Sequence, residues 1–89
     1  MINFYLGEEK YINAKVVPKN NDDIIIVNSA EYTLTDTNGN VVDSGTCEID
    51  GINLIMLLSP DGVGTYKLKI TARVGAETII EKSHISVKE

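Results

Sequence analysis

The sequence predicts an all-β protein, an antiparallel sandwich of about seven short strands. Three observations carry this. Val, Ile and Thr supply 27 of the 89 residues, and β-branched side chains sit better on a pleated surface than on a helix. No window holds a 3.6-residue apolar period long enough for a helix. Turn-forming residues punctuate the chain at about 8–12-residue intervals, the spacing of sandwich strands.

The strands follow by alternation. Tyr11 to Val17 is the first, with Ile12, Ala14 and Val16 on one face. Pro18-Lys19-Asn20-Asn21-Asp22 closes it as a polar loop. Asp23 to Asp36 then places Ile24, Ile26, Ala30, Tyr32 and Leu34 on one parity, with Asn28-Ser29 marking a bend or bulge. Asn38-Gly39 signals a hairpin of type I′, whose two central residues need positive φ. Val41-Val42 resumes as a strand that Ser44-Gly45 interrupts. Thr46 to Asp50 is next, with Cys47 and Ile49 facing one way, and Ile52 to Leu58 follows Gly51.

Ser59-Pro60-Asp61-Gly62-Val63-Gly64 reads as a loop. In Thr65 to Val74, Tyr66, Leu68, Ile70, Ala72 and Val74 alternate with Lys67, Lys69, Thr71 and Arg73. Gly75-Ala76 turns the chain, and Glu77 to Lys88 returns. There Ile79, Ile85 and Val87 share a parity that Glu81 and Ser83 break, so a bulge near Ile80-Glu81-Lys82 is expected to restore the face. The whole chain, 1–89, is read as a single sandwich domain, with residues 1–10 as an N-terminal edge or docking segment.

Composition narrows the function. One domain of this length buries roughly 60–65% of its unfolded surface, which leaves little for a deep cleft. A single thiol, Cys47, precludes an internal disulfide. A net charge of −5 argues against nucleic acid as partner, because such binding relies on counterion release by Lys and Arg. The longest apolar run, Ile52 to Leu58, is far shorter than the ~20 residues of a membrane helix. No signal-peptide pattern opens the chain, so residence in a reducing cytoplasm is the expected location.

The segment Asp61-Gly62-Val63-Gly64-Thr65-Tyr66-Lys67-Leu68-Lys69-Ile70 resembles the late strand of immunoglobulin-like sandwiches, in which a Gly-x-Tyr opens the strand. The resemblance implies that the Tyr66 hydroxyl bonds backbone at the corner. Leu68 stands where antibody domains carry a cysteine, so a disulfide-free variant is implied. Residues 23–89 carry a narrower resemblance, through Ala30-Glu31-Tyr32-Thr33-Leu34, Asn38-Gly39-Asn40-Val41-Val42, Gly64-Thr65-Tyr66 and Val74-Gly75-Ala76. This pattern is similar to small immunoglobulin-like structural proteins of phages and prophages from Gram-positive bacteria. It implies a virion or prophage role exercised through protein–protein contacts, with no chemistry attached. A bacterial adhesin module and a carbohydrate-binding module are the alternatives.

Residue patterns for chemistry are thin. Asp36-Thr37-Asn38-Gly39-Asn40 begins like a calcium loop but continues with Val41 and ends on Cys47, where Gly and Glu are required, so it reads as a turn. Asn20-Asn21-Asp22-Asp23 reads as a solvated loop. His84 shares a wet face with Lys82 and Lys88, with no nucleophile pattern beside it. Cys47 reads as a small buried hydrophobe. Gly62-Val63-Gly64-Thr65 lacks the Lys and helix of a phosphate loop. The expectation is no catalytic residue, no metal and no cofactor.

Charge and apolar surplus are more informative. Lys67, Lys69 and Arg73 line one strand face, and Asp36, Asp43, Glu48 and Asp50 cluster mid-chain. They are expected to cross-pair, or else to polarise two surfaces toward a head-to-tail partner. Ile25 and Val27 oppose Ile24 and Ile26, while Ile55 and Leu57 oppose Leu54, Met56 and Leu58. A sandwich strand has one inner face, so Ile25, Val27, Ile55 and Leu57 are the candidate interface residues, for a virion component or for self-association.

Overall fold

The computed structural model describes residues 2–16 and 26–89. Among them, eight strands form two sheets: β1 (Ile2–Tyr5), β2 (Lys10–Lys15), β3 (Val27–Thr35), β4 (Val41–Thr46), β5 (Glu48–Asp50), β6 (Asn53–Leu58), β7 (Gly64–Val74) and β8 (Glu77–Lys88). One sheet has the order β1-β8-β7-β3-β4 and the other β2-β6-β5. The fold is a β-sandwich without a disulfide, antiparallel in every pairing among the described residues except that of β1. Its eighth strand is β1, which pairs in parallel with β8 from Ile2 opposite Ile85 to Tyr5 opposite Lys88.

The core lies between the sheets. Val27, Ala30, Leu34, Leu68, Ile70, Ala72, Ile85 and Val87 face Leu54, Met56 and Leu58 across it. Phe4, 2% exposed, brings β1 into the same cluster. Aliphatic burial of this kind contributes about 1.5–3 kcal/mol per large side chain before ordering costs, and it does here what a covalent link does in antibody domains. No buried side-chain nitrogen or oxygen lacks a partner among the described residues.

Most of the alternation holds. Tyr66, Leu68, Ile70, Ala72 and Val74 all point inward from β7. Several local expectations are corrected. The register of β3 against β7 shifts between Val27 and Ser29. This is the bulge that Asn28-Ser29 signals, and it reverses parity. Val27, expected outside, is therefore 9% exposed in the core, and Ile26, expected inside, is 68% exposed.

The β3–β4 turn is not type I′. Gly39 alone in it has positive φ, 87°. Its amide donates to the Asp36 carbonyl at 3.1 Å, which makes Thr37-Asn38-Gly39 a three-residue loop. The Asp36 carboxylate selects this form by accepting the amides of Asn38 and Asn40, both at 2.9 Å.

Ser44-Gly45 does not interrupt β4. Gly45 lies opposite Tyr32, whose ring covers it so closely that a Cβ there would stand 3.1 Å from the hydroxyl. After Thr46 the chain passes from one sheet to the other at Cys47, where the Cys47 amide still donates to the Ala30 carbonyl at 2.9 Å.

The expected bulge in β8 is absent, since β7 and β8 stay in one register from Gly64–Val87 to Val74–Glu77. Glu81 and Ser83 keep the inner parity and remain exposed. They lie on the stretch of β8 that β1 does not cover. A charge pointing inward from a strand edge discourages a foreign strand from pairing there.

Candidate functional site

The two outer faces of the sandwich differ in chemistry. On the three-stranded sheet, the β2–β6 register sets Tyr11 opposite Leu57 and Asn13 opposite Ile55. Tyr11 is 72% exposed and Leu57 40%, with Ile55 half-buried beside them. The β5–β6 register adds Glu48 opposite Ile55 and Asp50 opposite Asn53. The result is an apolar strip with Glu48 and Asp50 along its β5 edge and the exposed Lys15, opposite Asn53, at its end.

Ile55 and Leu57 thus come together outside the sandwich, as their parity requires. Val27 is not with them, and Ile25 lies outside the described residues. Sequence alternation overlooked Tyr11 as a member of this strip. It sits 46 positions from Leu57, and only the strand register joins them.

On the five-stranded sheet, β7 and β8 set Lys67 opposite His84 and Lys69 opposite Lys82. Arg73 and Lys88 share this outer face, so it holds five of the eight Lys and Arg residues. Glu31 is the one strand carboxylate on that face among the described residues. The expected cross-pairing with Asp36, Asp43, Glu48 and Asp50 does not form. Those residues lie on the β3–β4 turn, on β4 beyond β3, and in the other sheet. The one ion pair among the described residues is Lys10–Glu8 at 3.4 Å.

Lys67, Lys69, Lys82 and His84 surround a shallow depression of about 270 Å³, with Thr35, Leu68 and Ser83 completing its lining. A second hollow, about 90 Å³, opens between the sheets among Ala14, Val16, Leu54, Ile70, Ala72 and Ile79. That volume is small against the roughly 300–1,000 Å³ of sites that enclose a small molecule.

Remaining candidates take structural places. Cys47 is 8% exposed. Burial, with Glu31 adding to it, pushes its thiol above the ordinary value of 9.0 and away from the reactive thiolate. Burial chiefly, then the Asp43 carboxylate, raises the Tyr32 phenol. Asp36 uses one carboxylate oxygen on two backbone amides in its own turn. His84 is exposed, as its parity requires. The Tyr66 hydroxyl donates to the Gly62 carbonyl at 2.8 Å, so Gly62-Val63-Gly64 is the corner of β7. The Asn20–Asp23 oxygens lie outside the described residues.

Lys10 braces the first turn. Its ammonium donates to the Asn3 carbonyl at 2.9 Å and lies 4.8 Å from the centre of the Phe4 ring. Tyr5 and Tyr11, the exposed tyrosines, sit on the outer faces of different sheets and so offer no shared surface for stacking a sugar. Among the described residues, no three His, Cys, Asp or Glu side chains gather as metal ligands do.

No known family's sequence profile matches the chain, and no curated protein does. Solved structures do match its fold. An engineered protein from a structural genomics consortium superposes with a TM-score of 0.79 at 19% identity, covering 99% of this chain and 18% of its own. CopC from Methylosinus trichosporium OB3b superposes with a TM-score of 0.71 at 13% identity, covering 98% of this chain and 82% of its own. At these identities the likeness speaks for the β-sandwich alone. In the engineered protein the same architecture occupies a small part of a much longer chain.

Proposed function

We propose that the chain is a non-enzymatic contact module, a rigid sandwich that joins a virion or prophage assembly, or docks on a host surface, through its outer faces. The strip formed by Tyr11, Leu57 and Ile55 carries this reading. Three apolar side chains drawn from two strands stand together on the outer face, away from the core. Contiguous apolar surface on a small protein is characteristically a place where another protein sits. Its anatomy supports the same reading: an aromatic and two aliphatics at the centre and a polar rim, with backbone fixed by a two-sheet scaffold. The viral setting rests on the resemblance across residues 23–89.

Induced lysates of a lysogen carrying the gene provide the test. Purified particles are expected to contain the chain, and Leu57→Asp is expected to remove it from them while leaving its melting temperature within about 2 °C, as suits an exposed site. Particles that lack the wild-type chain, together with a gene flanked by cell-wall anchoring genes, overturn the proposal. So does undiminished incorporation of the Leu57→Asp protein.

A further inference from the structure

The cationic face has no explanation within the fold. Lys69 and Lys82 stand directly opposite one another on neighbouring strands, and Lys67 stands opposite His84. Like charges across a ladder oppose pairing, whereas one carboxylate in either place would favour it. The chain is rich in carboxylates, with 13 against 8 Lys and Arg. It nevertheless gathers five of its cations on one face and puts Glu48 and Asp50 on the face behind.

The two faces carry charges of opposite sign at the same strand interval. Glu48 and Asp50 project from the same side of β5, two residues apart, at about 6.6–6.8 Å along an extended strand. Lys67 and Lys69 on β7 repeat at the same interval, as do Lys82 and His84 on β8. Lysine stems are apolar below their ammonium groups. The depression among Lys67, Lys69 and Lys82, with Ile80 exposed beside it, therefore offers an apolar floor inside a cationic rim. The strip of Tyr11, Ile55 and Leu57 is the converse, an apolar ridge beside Glu48 and Asp50, with Lys15 the one cation on that face among the described residues.

We infer that the partner of the cationic face is a second copy of this chain, which seats the outer face of its three-stranded sheet there. The contact is heterologous, because a different face of each copy is used. Each copy keeps one face free on either side, so copies stack head to tail along the sheet normal and nothing closes the series. Sheets pack about 10 Å apart, so a two-sheet unit advances the stack by about 20 Å. The shortest dimension of the molecule is 19 Å. This inference rests on the contact-module reading and names its partner.

The test uses two charge-reversed chains, Lys67→Glu/Lys69→Glu and Glu48→Lys/Asp50→Lys, with sedimentation velocity as the readout. At about 50 mM salt the wild type is expected to gain mass steadily with concentration, and at about 500 mM, where charges are screened within a few ångströms, to return toward 9.7 kDa. Each reversed chain is expected to stay monomeric alone. An equimolar mixture is expected to regain mass with concentration as the wild type does, since the intact faces match one another and the two reversed faces, now of opposite sign, match as well. The neutral versions, Lys67→Gln/Lys69→Gln and Glu48→Gln/Asp50→Asn, leave one intact donor face and one intact acceptor face, so their mixture is expected to stop at a heterodimer.

A wild type that remains at 9.7 kDa up to millimolar concentration overturns the stacking. A plateau at dimer, or a mixture that fails to associate, overturns it as well. If the wild type is monomeric while Leu57→Asp still costs incorporation into particles, the contact module stands and its partner is a different protein.

Discussion

Replacing Tyr66 by Phe removes one oxygen and leaves the ring where it packs. That oxygen donates to the Gly62 carbonyl at 2.8 Å, tying the loop before β7 to the strand it opens. A neutral hydrogen bond of this kind contributes about 0.5–1.5 kcal/mol net, and Tyr66 is only half-buried, so water can reach the released carbonyl. The expected loss is thus about 1 kcal/mol, or roughly 4–8 °C in melting temperature for a domain of this size. Urea unfolding followed by circular dichroism measures it, with the slope against denaturant unchanged. Gly62→Ala provides the second edge of a cycle, because its Cβ would stand 3.3 Å from the same hydroxyl and press on it. The two losses are expected to be less than additive. A Tyr66→Phe protein as stable as wild type, or strictly additive losses, would refute the claim that this bond holds the corner.

Three further outcomes follow from the charge and burial described. Lys69→Glu turns a like-charge cross-strand pair with Lys82 into an opposite one, and is expected to stabilise the monomer by a few tenths of a kcal/mol in low-salt thermal melts. Glu8 is held below the ordinary glutamate value of 4.5, first by the Tyr5 amide that donates to it and then by Lys10. A depressed folded-state value stabilises above the unfolded one and is lost as pH falls through the folded one, so the melting advantage of wild type over Glu8→Gln is expected to vanish as pH drops below about 4.5. The Cys47 thiol, buried and raised, is expected to resist a colourless-to-yellow thiol reagent at pH 8 until denaturant is added, whereas immediate reaction in the native state would place it on the surface.

The strand bodies were legible because their information is local. Tyr66 through Val74 alternate without exception, and Gly64-x-Tyr66 names its own corner. Elements that depended on something distant were not legible. The type of the Asn38-Gly39 turn was settled by the Asp36 carboxylate competing for amides, against the intrinsic preference of the dipeptide. Gly45 stays in its strand because Tyr32, on β3, lies over it. Val27 and Ile26 take the faces opposite to their parity because one extra residue at the Asn28-Ser29 bulge inverts every side chain before it, and the dipeptide does not tell a bulge from a bend. The site divides in the same way. Parity marks Ile55 and Leu57 as outward and Lys67 and Lys69 as wet. Placing Tyr11 beside the first pair, and Lys82 and His84 beside the second, required strand registers that no stretch of sequence contains.

The parallel pairing of β1 with β8 fixes how the domain bears tension. The chain enters β1 at Ile2 and leaves β8 at Lys88, at opposite ends of a four-rung ladder. Pulling those two ends apart slides one strand along the other, so the rungs share the load and must give way together. An antiparallel pairing in the same place would peel one rung at a time. A unit built this way resists a pull along β1 and β8 more than one whose end strands pair antiparallel over the same length.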